Sequence, residues 1–137
     1  MAQVAAHRTM VLVIEDDEML RRFLTRTLEC AGFCVFSADN GQTGFQIARA
    51  LGSTVGLVLT DINMPVMNGF EFAQACRALH PSIPILFMTG AMPRGSKDFS
   101  LREVGDRLLL KPFDPETLVE AVNAALTYEL TAKRTPA

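Results

Sequence analysis

The chain has 137 residues, of which 49% are hydrophobic and 20% charged, with a formal net charge of -2. That length sets a single domain able to bury a core, and the composition excludes a disordered chain. The small net charge excludes a general affinity for nucleic acid or anionic membrane, and no apolar stretch reaches the length of a membrane span.

Residues 1–8 read as an arm, 9–129 as the folded domain and 130–137 as a frayed tail. The arm has no apolar signal core, so the expected location is the cytoplasm. Met10-Val-Leu-Val-Ile14 is a first strand. Glu18–Ala31 carries Met19, Leu20, Phe23, Leu24, Thr27 and Leu28 at helical spacing, and Gly32 is placed to cap that helix. Phe33–Ala38 reads as a second strand. A turn at Asp39-Asn40-Gly41 leads into a helix over Gln42–Leu51, then a loop at Gly52–Thr54.

Gly56–Thr60 is the third strand. Asp61–Asn68 contains Pro65 and is followed by Gly69, which marks a loop, and Phe70–Leu79 is a third helix ended by His80-Pro81. Pro84–Met88 is the fourth strand. Gly90, Pro93 and Gly95 interrupt the stretch after it, so a fourth helix there is short and irregular, over Lys97–Val104. Arg107–Leu110 is the fifth strand. Pro115 suits the first turn of a last helix with Asp114 as its N-cap, and Leu118, Val119, Val122, Ala125 and Leu126 line its buried side. Cys30, Cys34 and Cys76 have neither an even count nor a metal spacing and read as reduced, small apolar residues. His7 and His80 read as incidental surface residues.

Five strands alternating with five helices predict an α/β fold: a doubly wound, flavodoxin-like parallel sheet in the order 2-1-3-4-5. In such sheets the functional crevice lies beyond the carboxyl ends of the strands, where the winding reverses. Glu15, Asp16 and Asp17 follow the first strand, Asp61 the third, Thr89 the fourth and Lys111 the fifth. All therefore fall at one edge.

Carboxylates gathered there repel. At about 4 Å and an effective dielectric of about 20, each pair costs on the order of 4 kcal/mol. Either one carboxyl holds a proton or a cation is bound. An all-oxygen set with few protein ligands suits Mg2+. Acids, a metal, a hydroxyl and a lysine around one aspartate suggest phosphoryl chemistry, with Asp61 as nucleophile and Lys111 and Thr89 stabilising the transferring group. Taken singly, the acids also suit a helix start or a turn.

The runs Val13-Ile-Glu-Asp-Asp17, Val58-Leu-Thr-Asp-Ile-Asn-Met-Pro-Val-Met-Asn-Gly69, Met88-Thr-Gly90 and Leu110-Lys-Pro-Phe113 resemble the receiver domain of two-component response regulators, a CheY-like fold. The resemblance extends from Thr9 to Tyr128. It implies that Asp61 is the phosphoacceptor for a histidine kinase or histidine phosphotransfer protein. It implies that Asp16 binds Mg2+ directly, that Glu15 acts partly through water, and that Asn63 offers its backbone carbonyl. Thr89 and Lys111 would contact the phosphoryl group, and Pro112 would follow a cis peptide. Asp17 falls outside the acidic pair and reads as a helix-start acid.

Two positions depart from the family pattern. Leu108 stands where receivers carry a switch aromatic, and Gly90 follows Thr89 where alanine is usual. The run Phe87-Met-Thr-Gly90 resembles a subset of stand-alone receivers that lack the switch aromatic and form the fourth helix poorly, which implies a Gly90–Ser100 segment ordered by phosphate or partner. The resulting expectation is a phosphorylation-dependent switch without an output module, monomeric by default, contacting a downstream protein. The rivals are a degenerate receiver that binds partners without phosphorylation and a small phosphatase of the haloacid dehalogenase type. The latter places its nucleophile after the first strand.

Overall fold

The computed structural model describes residues 8–90 and 108–134, with side chains described as far as Thr127. The helix expected over Lys97–Val104 and the segment after Gly90 lie outside the described residues. Five strands form one parallel sheet, β1 (Met10–Ile14), β2 (Cys34–Ala38), β3 (Val55–Asp61), β4 (Ile85–Thr89) and β5 (Leu108–Leu110), in the order β2-β1-β3-β4-β5. The doubly wound expectation is met. Among the described residues the helices are α1 (Glu18–Cys30), α2 (Gly41–Leu51), α3 (Gly69–Leu79) and α4 (Pro115–Arg134), and a short 3-10 turn over Gly52–Thr54 replaces the expected loop.

Each face of the sheet carries its own apolar layer. Leu12, Ile14, Val58, Ile85 and Phe87 pack with Ala48, Phe72, Ala73 and Cys76 of α2 and α3. Val11, Val13, Leu57, Leu59, Leu86 and Met88 pack with Leu24 and Leu28 of α1 and Leu118, Val122 and Ala125 of α4. Successive strand residues serve opposite layers, which is why these strands read as unbroken apolar runs.

Local chemistry accounts for the element ends. At the end of α1, the Gly32 amide donates to the Glu29 carbonyl (3.0 Å) and the Phe33 amide to the Leu28 carbonyl (3.0 Å). Gly32 has φ of 99°, so this is a Schellman cap, as the glycine's position predicts. Asp114 caps α4 by accepting from the Thr117 amide (2.8 Å). That hydrogen bond also holds the Asp114 carboxyl below its ordinary range. Asn40 caps α2 by accepting from the Thr43 amide at 2.8 Å.

Several expectations shift. Met19 is 81% exposed, so it lies off the buried stripe of α1. Asp61 is the last residue of β3 and Thr89 the last of β4, so the parallel ladder reaches into the site. A capping box of Asn68 and Glu71 starts α3 at Gly69. The last helix extends to Arg134. Leu108 is partly buried and packs on the layer that holds Phe87 and Phe70, whose rings lie 5.2 Å apart.

Candidate functional site

The parallel register delivers the predicted residues to one edge. Ile14 pairs with Thr60, Asp61 with Met88 and Thr89 with Leu110, so Asp61 and Thr89 end their strands, and Glu15 and Lys111 directly follow theirs, at the same edge of the sheet. One carboxylate oxygen each from Glu15, Asp16 and Asp61 lies within 4.8 Å of the others. Glu15 and Asp61 are buried and Asp16 is exposed.

Lys111 closes the cluster. Its Nζ donates to Asp61 Oδ2 at 3.0 Å and to Glu15 Oε1 at 3.2 Å. The peptide between Lys111 and Pro112 is cis. Glu15 Oε2 accepts from the Asp17 amide at 3.0 Å, and Asp61 Oδ1 accepts from the Asn63 amide at 3.1 Å. Asp17 does not join the cluster: it caps α1, accepting from the Met19 amide at 3.0 Å, which is the helix-start role expected of it. Thr89 is fully buried, and its Oγ1 accepts from Asn63 Nδ2 at 3.4 Å. The Asn63 side chain is a member that sequence reasoning missed, having assigned that residue only a carbonyl.

The charges do not balance: three carboxylates face one ammonium. Burial pushes the Glu15 carboxyl from an ordinary 4.5 up to about 7. The Asp17 amide pulls it back, the neighbouring Asp61 raises it further, and Lys111 lowers it. Burial also works against the Lys111 ammonium, but the hydrogen bond to Asp61 and the charges of Glu15 and Asp61 outweigh it, so its pKa is raised. The site thus carries surplus negative charge on hard oxygen donors. That donor set, with one carboxylate open to solvent, fits a hydrated divalent cation such as Mg2+ and gives no thiolate or imidazole ligand.

Two backbone closures hold the site in shape. The Gly69 amide donates to the Ile62 carbonyl at 2.8 Å, folding α3 against the end of β3. A Cβ on Gly69 would meet the Asp61 carbonyl oxygen, so only glycine permits this closure. The Met67 amide donates to the Pro65 carbonyl at 2.7 Å around Val66, whose φ is 71°. That is a γ-turn in the strained, positive-φ form, and at its centre stands a β-branched residue that is 86% exposed.

A family model described as the response regulator receiver domain matches residues 11–123, and the chain belongs to that family. It is 35% identical to the response regulator receiver protein CpdR of Brucella abortus over 85% of this chain and 95% of that protein. It spans about half the length of other curated relatives, 52% in two cases. The chemotaxis response regulator CheY4 of Vibrio cholerae superposes with a TM-score of 0.76 at 32% identity, covering 87% of this chain and 99% of CheY4. The receiver domain of the hybrid histidine kinase CckA superposes with a TM-score of 0.71 at 28% identity, covering 85% of this chain and 98% of that one. The protein is therefore a receiver of two-component phosphorylation signalling, a class of signalling protein distinct from ordinary enzymes. No helix among the described residues is long and apolar enough to cross a membrane.

Proposed function

We propose that Asp61 accepts a phosphoryl group from a phosphohistidine of a histidine kinase or histidine phosphotransfer protein, in a site that holds Mg2+. The observation that carries this reading is the buried Asp61 carboxylate, 3.0 Å from Lys111 Nζ and within 4.8 Å of carboxylate oxygens of Glu15 and Asp16. Glu15, Asp16, Asp61 and the Asn63 backbone carbonyl are the proposed ligands. Mg2+ bound there supplies positive charge opposite the developing charge of the transferring group.

The chain's own residues do the rest. An Asp61 Oδ attacks phosphorus, the P–N bond to the donor imidazole breaks, and the electron pair leaves with that nitrogen, giving an aspartyl phosphate. Lys111, held against Asp61, neutralises the incoming phosphoryl oxygens, and the Thr89 hydroxyl is positioned by Asn63 to turn toward them. The proposed receiver spans residues 9–129, works in the cytoplasm as a monomer and passes the signal by protein contact, without nucleic acid or membrane. Leu108, packed on the Phe87 layer, replaces the ring that other receivers use for readout.

Incubation with acetyl phosphate and Mg2+ tests the reading by intact mass. The expected result is a gain of one phosphate that is absent without Mg2+ and absent in Asp61→Ala. Release of many phosphates per chain from a substrate panel would favour a phosphatase, and no gain would favour a receiver that works unphosphorylated.

A further inference from the structure

Arg21 lies one turn into α1, with its amide donating to the Asp17 carbonyl at 2.8 Å. Its side chain reverses direction, and Nη1 donates to the Glu15 backbone carbonyl at 2.8 Å. Arg22, next in sequence, behaves otherwise: it is exposed and pairs with Glu18 at 3.0 Å on the open helix surface.

The Arg21 contact completes a set. The Glu15 amide donates to the Ala38 carbonyl of β2 at 3.0 Å. Glu15 Oε1 takes Lys111 and Oε2 takes the Asp17 amide. With Arg21 on the carbonyl, every polar group of Glu15 is engaged. Asp16 is then suspended between two fixed residues, Glu15 and the N-cap Asp17. An exposed carboxylate gains nothing from its own packing, so its placement depends on the backbone that carries it.

We infer that Arg21 is a positioning residue for the divalent-cation site, clamping the turn between β1 and α1 so that Asp16 and Glu15 face Asp61. The inference rests on the proposed Mg2+ site. The guanidinium also brings a positive charge toward the cleft, and that charge alone would repel a cation. Clamp and charge therefore predict opposite signs. If the clamp dominates, removing Arg21 weakens Mg2+ binding; if the charge dominates, removal tightens it.

The test is a Mg2+ titration of the full chain followed by amide resonances, which requires no phosphorylation. Arg21→Met is expected to raise the Mg2+ dissociation constant about ten-fold, the scale seen when residues supporting metal ligands are removed. Arg21→Lys keeps the charge and a single donor of shorter reach toward the Glu15 carbonyl, so it retains part of the clamp, and its constant is expected to fall between those of Arg21→Met and wild type. Arg22→Met removes an equal charge from the same helix and is expected to match wild type. A merely structural role for Arg21 would lower the melting temperature and leave the constant unchanged. Saturable Mg2+ binding by wild type with unchanged or tighter binding in Arg21→Met and Arg21→Lys would overturn this inference alone. Absence of saturable binding in wild type would overturn it together with the proposed Mg2+ site.

Discussion

Glu15 concentrates the energetic conflict of the site. It is almost fully buried, and its carboxyl is raised from 4.5 to about 7 chiefly by that burial. A carboxyl raised on folding retains a proton that the unfolded chain has already lost. Stability therefore falls as pH rises from about 4.5 through about 7, then levels off. The loss is on the order of 3 kcal/mol for a shift of this size. The raised Lys111 pKa acts with the same sign, but its gain is lost only at alkaline pH, so it does not mask this window. Chemical denaturation across pH 4.5–8 without divalent cations is expected to show the decline in wild type and a flat profile in Glu15→Gln. Val66 offers a second test at this scale. A valine at φ 71° is strained by about 1–2 kcal/mol, whereas asparagine adopts that region readily. Val66→Asn is expected to raise the melting temperature by a few degrees, corresponding to about 1 kcal/mol. None of this strain is legible in sequence, because a β-branched residue argues against a positive φ. The Arg21 reach to Glu15 is equally hidden, since a long side chain on a helix is read as solvated.

At the scale of elements, local rules were legible wherever a single short-range interaction decides the outcome. Gly32 and Asp114 cap their helices as their positions predict. The Asn68-x-x-Glu71 pattern carried the same kind of signal for α3, and its loop surroundings obscured it. Met19 shows the limit of periodicity. It fits a helical stripe by spacing, yet α1 turns it to solvent, because the layer that α1 joins ends at Leu20. The contact between the Asn63 side chain and Thr89 joins residues 26 apart in sequence across two strand ends, and no local rule reaches that far. The junction of β3 and α3 is the element most sensitive to substitution. Gly69→Ala places a methyl group against the Asp61 carbonyl oxygen and the Ile62 Cα, both backbone atoms that cannot rotate away. The expected cost is about 2–4 kcal/mol in denaturant unfolding, with slower phosphorylation because Asp61 must shift with the backbone. Gly44→Ala meets the flexible end of Ile14 instead and is expected to cost less.

For the whole molecule, the strand order brings together groups that are up to 96 positions apart, from Glu15 to Lys111. That convergence was legible because it follows from strand direction alone: parallel strands end at one edge, and each charge follows an apolar run. The ladder carries Asp61 and Thr89 as last strand residues, so these two are mounted on the sheet itself, while Glu15 and Lys111 directly follow their strands. A site with unbalanced charge should gain stability from the cation it fits. Mg2+ is expected to raise the melting temperature, more at pH 8 than at pH 5.5, because the Glu15 proton must leave first. In Asp16→Asn the response is expected to shrink, while the cation-free protein is expected to be as stable as wild type or more so, since a like charge is gone. An undiminished response would remove Asp16 from the ligand set.

The proposed function turns on Asp61 as the residue that takes the phosphoryl group. The most direct test is borohydride reduction of protein treated with acetyl phosphate and Mg2+, followed by peptide mass spectrometry, since an aspartyl phosphate is reduced to homoserine. Homoserine at position 61, dependent on Mg2+ and nowhere else in the chain, is the predicted result. A phosphate that resists reduction, or homoserine at another aspartate with position 61 untouched, would contradict it.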